Sequence, residues 1–319
     1  MDASRAADLL QAGLDRRADL LGGLPDTDCV RLLNGISEGW PGVAIDRYGP
    51  ILLVQTWRDP LEDGVLAALA ETVPWELTPV WNHRGGGGSE GFVPTAAVGI
   101  ERGVKFDVRP RHRGKDPLLF LDFRVARTWL RERGAASVLN LYSYTCGMGV
   151  AAAVGGATRV LNVDFASSAL AVGAINAELN GVQMEQLESD VFPAVRQLAG
   201  LPVGGRKGRR PSYERLDGEA FEVVVLDPPR WAKTPWGAVD VVRDYASLFK
   251  PAVLAVADGG SILATNHVPS VPLDSWIDGL KRTADKAGRS LKQIDVLEPE
   301  ADFPSFDGQP PLKIAICSV

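Results

Sequence analysis

A short stretch near the middle of this 319-residue chain restricts what the rest can fold into. Ser137-Val138-Leu139-Asn140-Leu141 is a brief apolar run. Tyr142-Ser143-Tyr144-Thr145-Cys146-Gly147-Met148-Gly149 interrupts it with small and glycine residues, and Val150-Ala151-Ala152-Ala153-Val154 then favours a helix. Strand, glycine-containing turn and helix in that order predict a turn at the carboxyl edge of an open α/β sheet. There, backbone N–H groups and a helix N-terminus face a ligand. Small residues let the main chain approach that ligand closely.

Three further steps repeat the pattern. Arg159–Asp164 reads as a second strand ending in a carboxylate. Asp164 stands 17 positions after Gly147, near the ~20 at which an acid on the second strand tip meets a ribose. Ser189-Asp190 follows a second helix and a third strand. Phe221–Leu226 is a fourth, almost wholly apolar strand that runs into the stiff turn Asp227-Pro228-Pro229. Beyond it, 238–255 reads as largely helical, 259–267 as a glycine turn and fifth strand, and 276–287 as a helix. Residues 291–297 and 312–317 read as a terminal antiparallel pair.

Upstream, residues 2–21 have apolar residues at helical spacing, with Gly22-Gly23-Leu24-Pro25 as the stop. A β-rich segment follows, with a short helix over 61–72, and reads as two hairpins around that helix. The expected domains are therefore an N-terminal helix (1–24), a small α+β domain (25–110) and a larger α/β domain (111–319).

These pieces carry a family resemblance. Phe120-Leu121-Asp122-Phe123-Arg124, Asn140-Leu141-Tyr142-Ser143-Tyr144-Thr145, Val163-Asp164, Asn176-Ala177-Glu178-Leu179-Asn180-Gly181 and Asp227-Pro228-Pro229 resemble the class I S-adenosylmethionine (SAM) dependent methyltransferases. The likeness is to those near the bacterial ribosomal-RNA large-subunit methyltransferases I and K. It reaches upstream through residues 33–49 and covers most of the chain from about residue 30. It implies a Rossmann-like seven-stranded methyltransferase sheet with a terminal antiparallel hairpin, preceded by a small α+β domain on the substrate side. The RNA-binding module that often begins those proteins is not apparent; the leading helix occupies its place.

The implied cofactor is SAM. Its methionine end is expected near Asp122 and Arg124, and its methionine part and ribose over the turn with Asn140, Tyr142, Ser143, Tyr144, Thr145 and Gly147. The ribose hydroxyls are expected on Asp164, beside Phe165, and the adenine amine on Asp190. Asp164 has a plainer reading as a helix cap, since Ser167 and Ser168 share that boundary, and Asp190 as a strand end.

Asp227, Pro228 and Pro229 form the catalytic candidate, a loop whose fixed carbonyls accept hydrogen bonds from a planar nitrogen in related N-methylating enzymes. Asp227 also borders the cofactor. Trp231 reads either as a stacking platform for a base or as an aromatic capping the sheet edge. Arg230 reads as a phosphate or solvent contact. In cytosine-C5 members of the family a nucleophilic cysteine ends strand five, because carbon must first be activated by covalent addition. This chain has Ala264-Thr265-Asn266-His267 there, without a cysteine. Asn266 instead resembles the guanine-N7 member, where a ring nitrogen attacks directly. His267 reads as a general base or as a structural residue. Cys146 reads as a space-filler in the cofactor turn.

The formal charge of −6 and pI of about 5.3 sit awkwardly with RNA binding, which needs Lys and Arg against phosphate. Basic residues are locally dense in Arg109-Pro110-Arg111-His112-Arg113-Gly114-Lys115 and in Arg206-Lys207-Gly208-Arg209-Arg210. Arg111 and Arg113 read as a phosphate clamp or as a solvated linker. Three dispersed cysteines give no zinc spacing or disulfide framework, and no metal is expected. No apolar run reaches the ~18 residues of a membrane span, and the first residues lack a signal-peptide layout, so a cytoplasmic protein is expected. Methyl transfer to a ribosomal-RNA base, more at nitrogen than by cysteine-dependent C5 chemistry, is the first reading, with ribosomal RNA as partner and a homodimer left open. A methyltransferase for a small molecule or protein, and a non-catalytic SAM- or RNA-binding scaffold, are the alternatives.

Overall fold

The computed structural model describes residues 1–86, 89–91, 94–110, 116–204 and 212–319. Two compact units result. The first comprises Met1–Arg124 with Pro299–Pro310, the second Val125–Glu298 with Pro311–Val319.

The first unit runs α1 (Ala3–Arg16), α2 (Ala18–Gly23), β1 (Cys29–Asn34), β2 (Val43–Tyr48), β3 (Ile51–Thr56), α3 (Val65–Thr72), β4 (Thr78–His83), β5 (Ser89–Glu90), β6 (Val98–Glu101) and β7 (Val104–Asp107). Strands β1 to β5 form one sheet in sequence order, and β6–β7 pair separately. The two hairpins expected around one helix are therefore replaced. Helix α3 carries the chain back across the sheet, so β4 joins β3 in parallel, as a crossover requires. The leading helix is not a separate domain. It breaks at Arg17 into α1 and α2, and Ala6, Leu10 and Leu14 enter the core formed by Val30, Ile45, Leu52 and Leu69. The unit boundary also lies further along than 110. The Arg124 guanidinium donates to Glu300 (2.7 Å), to Asp302 (2.9 Å) and to the Cys29 carbonyl (2.8 Å), which ties residue 124 and the 299–310 segment to this unit.

The second unit follows with α4 (Arg124–Arg133), β8 (Ser137–Leu141), α5 (Gly147–Val154), β9 (Arg159–Asp164), α6 (Ser167–Asn180), β10 (Glu185–Glu188), α7 (Val191–Leu198), β11 (Phe221–Leu226), β12 (Trp231–Thr234), β13 (Gly237–Asp240), α8 (Tyr245–Leu254), β14 (Val256–Asn266), α9 (Leu273–Lys286), β15 (Gln293–Leu297) and β16 (Lys313–Ser318). Seven strands form one sheet in the order β10-β9-β8-β11-β14-β16-β15. The first five are parallel, and β16 and β15 are antiparallel additions. This is the expected α/β sheet with its terminal hairpin. Val223, Val224 and Val225 are fully buried, as a central strand covered on both faces demands. Strand order reverses between β8 and β11, which opens a crevice at their carboxyl ends.

The helix expected over 238–255 is shorter. Residues 231–240 form the β12–β13 hairpin, and the helix spans only Tyr245–Leu254. Val239 and Val241 are buried as strand-spaced residues, a period of two rather than 3.6. Among the described residues no helix is long and apolar enough to cross a membrane.

Candidate active site

The turn after β8 is conformationally demanding. Tyr142, Tyr144 and Cys146 all have positive φ (58°, 47° and 60°), each a departure that costs of order 1–3 kcal/mol for a residue with a side chain. Specific bonds hold it. Ser143 N–H donates to the Val163 carbonyl (3.1 Å) and Cys146 N–H to Ser143 (2.7 Å). Tyr144 N–H donates to Asp164 Oδ2 (2.8 Å), and the Asn176 amide to the Thr145 carbonyl (2.9 Å). Asn176 lies within the 176–181 motif, and this bond is what it does there. A Cβ on Gly149 would lie 2.2 Å from Asn162 Oδ1, so glycine lets α5 close onto β9.

Asn140 donates to that same Asn162 oxygen (2.8 Å) and is enclosed in the sheet. The structure thus commits the Asn140 amide to Asn162 between neighbouring strands. The Cys146 sulfur is enclosed, and burial pushes its thiol up to about 12, so it is no thiolate at neutral pH. Burial, then the nearby Asp190 and Asp164 charges, raise the Tyr142 phenol as well.

Two acids lie at the next strand ends. Asp164 holds Tyr144 N–H on one oxygen and Ala166 N–H on the other (2.8 Å). Burial raises its pKa against the lowering effect of those N–H groups. Asp190 caps α7 through Phe192 N–H (2.9 Å), while its buried Oδ2 has no hydrogen-bond partner among the described residues. Asp190 and the exposed Phe165 line a cleft of about 430 Å³ with Glu188, Tyr213, Lys233 and Trp236. Trp236 stacks on Phe192 (centroids 6.1 Å apart) and meets Tyr213 edge-on (5.5 Å). Sequence reading missed Tyr213 and Trp236. The only hint was an indole set among turn residues beyond the Asp-Pro-Pro loop.

The third group sits at the ends of β11 and β14. Their register pairs Leu226 with Ala264, which sets Asp227 beside Thr265. The Thr265 hydroxyl donates to Asp227, and Tyr245 OH donates to the Thr265 carbonyl (2.8 Å). Asn266 accepts from Val268 N–H (3.0 Å), and buried Lys313 donates to the Val268 carbonyl (2.9 Å). The turn is thereby fixed, and Asn266 Nδ2 is left buried without a hydrogen-bond partner among the described residues. Pro228 is buried and Pro229 half-buried. Arg230 and His267 are exposed, and Trp231 at the start of β12 is 60% exposed.

Two expected site residues belong to the first unit. Asp122 belongs to a 3-10 turn, Leu121–Phe123, of the first unit. Arg124 is buried in that unit among Glu101, Glu300 and Asp302, so its guanidinium serves the fold there in place of the expected cofactor contact. Arg111, Arg113 and the 206–210 basic run lie outside the described residues.

The site as assembled suits a nucleoside-containing cofactor. A buried carboxylate oxygen awaits a donor, a carboxylate holds the turn, and an aromatic-walled cleft lies beside both. Comparison with known proteins agrees. The sequence profile of the family described as S-adenosylmethionine-dependent methyltransferase matches residues 93–317. The chain is similar to ribosomal RNA large subunit methyltransferase I of Aeromonas hydrophila, 30% identical over 312 residues that cover 92% of this chain and 72% of that protein. The protein of the same name from Klebsiella pneumoniae is 29% identical over 297 residues, covering 87% of this chain and 70% of that one. The solved structure of a candidate SAM-dependent methyltransferase from Streptococcus mutans matches with a TM-score of 0.82 at 22% identity, over 100% of this chain and 82% of that one; this is a likeness of fold.

Proposed function

The chain belongs to the SAM-dependent methyltransferases, and from that membership we propose that it methylates a base of ribosomal RNA at a nitrogen. SAM is the cofactor, and it supplies a methyl group on a sulfonium that a nucleophile in line can accept. The residues divide the remaining work. The turn from Tyr142 to Gly147 cradles the cofactor, with Asp164 accepting from its ribose hydroxyls. Asp190 Oδ2 takes the adenine amine, a donor that its buried oxygen lacks among the described residues. Ribosomal RNA as the substrate is supported by the relatives named ribosomal RNA large subunit methyltransferase I.

One observation carries the choice of nitrogen. The ends of β11 and β14 carry a carboxylate, Asp227, which the Thr265 hydroxyl bonds, and an amide, Asn266, whose buried Nδ2 has no hydrogen-bond partner among the described residues. An acceptor and a donor at adjacent strand ends suit the edge of a planar base, which would orient a ring nitrogen without covalent help. Carbon attack would need a thiolate. Cys146 and Cys317 are buried with thiols pushed up to about 12, and burial raises the Cys29 thiol as well. Trp231, exposed shortly after the Asp-Pro-Pro turn, offers a face for the base to stack on. The test is the pair Asp227→Asn and Asn266→Ala. Each is expected to lower methyl transfer to RNA by at least tenfold while binding S-adenosylhomocysteine (SAH). Full transfer by both variants would overturn the assignment.

A further inference from the structure

Between the Asp227-Pro228-Pro229 turn and α8 the chain inserts a hairpin that carries one indole at each end. Strands β12 and β13 pair from Trp231↔Asp240 to Thr234↔Gly237, which leaves only Pro235 and Trp236 as the loop. The tip is fixed: Trp236 N–H donates to Thr234 Oγ1 (3.1 Å), and that hydroxyl donates to the Gly237 carbonyl (3.2 Å). The base is fixed as well. Val241 N–H donates to the Arg230 carbonyl (3.3 Å), Asp240 accepts from Val242 and Arg243 N–H, and Val239 and Val241 are buried in the core. Continuous pairing with bonds at tip and base thus links Trp231 and Trp236 through one short hairpin.

The two indoles face different tasks. Trp231 adjoins the catalytic turn and is 60% exposed. Trp236 is half-buried in the cleft wall, stacked on Phe192 and edge-on to Tyr213, with Phe165 and Asp190 lining the same cleft. At about 3.3 Å per residue, β12 separates them by on the order of 15 Å. Rings already paired on one side and open to a cleft on the other form a socket for a planar aromatic group. The acid that would bind an adenine amine, Asp190, lies in that cleft.

We propose that this hairpin couples the two substrates: Trp236 closes the cofactor's adenine pocket and thereby holds Trp231 for the incoming base, so SAM and RNA each bind more tightly when the other is present. The inference rests on the function assigned above. An adenine in the cleft gives Trp236 a further ring partner and restrains the hairpin, so the ordering of Trp231 is already accomplished when RNA arrives. Linkage makes the effect reciprocal. Trp236 is in this sense a positioning residue and Trp231 a substrate contact.

Calorimetry on the whole chain tests it, with SAH as one probe and large-subunit ribosomal RNA from a strain lacking the gene as the other. Trp236→Ala is expected to weaken SAH binding at least tenfold, Trp236→Phe to restore most of it, and Trp231→Ala to leave it within twofold. Saturating SAH is expected to tighten RNA binding by about fivefold or more, a gain lost in Trp236→Ala and in Trp231→Ala. SAH binding by Trp236→Ala equal to that of the unaltered protein, or a gain that survives in Trp236→Ala, would overturn the coupling. The two levels fail separately. If the unaltered protein binds SAH but transfers no labelled methyl to RNA, the assigned function falls. If it transfers methyl and SAH leaves RNA affinity unchanged, the function stands and the coupling falls.

Discussion

In the unit formed by Met1–Arg124 and Pro299–Pro310, buried and half-buried acids face arginines. Glu38 accepts two bonds from Arg17 (2.7 and 2.8 Å), Asp46 two from Arg31 (2.8 and 3.2 Å), and Asp302 and Glu300 accept from Arg124. In the unit formed by Val125–Glu298 and Pro311–Val319, the acids at the strand ends are held by backbone N–H groups and a hydroxyl: Asp164 by Tyr144 and Ala166, Asp190 by Phe192, Asp227 by Thr265. Glu38, Glu300 and Asp164 carry the contrast into protonation. Burial alone would raise Glu38 and Glu300, yet their arginines outweigh it and hold both below the usual carboxylate range. At Asp164 burial wins and the carboxyl is raised. An acid matched by an arginine has its partner within the fold. Asp164 and Asp190, held only part-way by backbone N–H groups, retain acceptor capacity, and a ligand's hydroxyls or amine can complete them.

Substitutions can break this distinction. The largest effect is expected from Asp302→Ala, which leaves the buried Arg124 charge undercompensated; about 3–5 kcal/mol of unfolding free energy should disappear in urea titration. Asp190→Asn, which keeps a capping oxygen for Phe192 N–H, should cost under about 1 kcal/mol. Equal losses would erase the contrast. Asp164→Asn comes next. Losing a charged acceptor of about 1.5–3 kcal/mol should weaken SAH binding by roughly 10- to 100-fold, and an unchanged affinity would remove the ribose assignment. For Asp190→Asn a loss of about tenfold in SAH affinity is expected, since an amide oxygen accepts less strongly than a carboxylate; calorimetry reads this too.

Acid titration separates the two kinds of acid within one sample. Glu38 and Glu300 are depressed, so their stabilising contribution is present above the ordinary carboxylate value and is lost as pH falls through the lowered ones. Asp164 is raised, so on acidification it takes its proton earlier and loses an acceptor site. SAH affinity is therefore expected to decline at a higher pH than the first loss of folded signal. Coincident transitions by calorimetry and circular dichroism would contradict this order.

The strand ends could be read from the sequence because apolar runs stop abruptly at polar or proline residues: Leu141 before the turn, Asp164 after Val163, Asp227 before two prolines. Roles of polar residues inside those motifs could not. Asn140 and Arg124 look like ligand contacts in the motifs, while their partners in the fold, Asn162 and Asp302, are 22 and 178 positions away. The β12–β13 hairpin escaped for a different reason. Its Pro235-Trp236 loop lacks the Asn-Gly type of signal that marks two-residue turns, and the apolar residues from Val239 onward continue into a true helix. The leading helix packs on its own unit through Ala6, Leu10 and Leu14, as its amphipathic pattern implies.

The central claim is methyl transfer to a nitrogen of a ribosomal-RNA base, and the most direct measurement is the fate of a labelled methyl group. Total RNA from a strain lacking this gene, incubated with the protein and radiolabelled SAM, is digested and its nucleosides separated. The account predicts label in a methylated guanosine, with the methyl on a ring nitrogen. Label in 5-methylcytosine would contradict it, because no described thiol at the strand ends could then have supplied the required nucleophile.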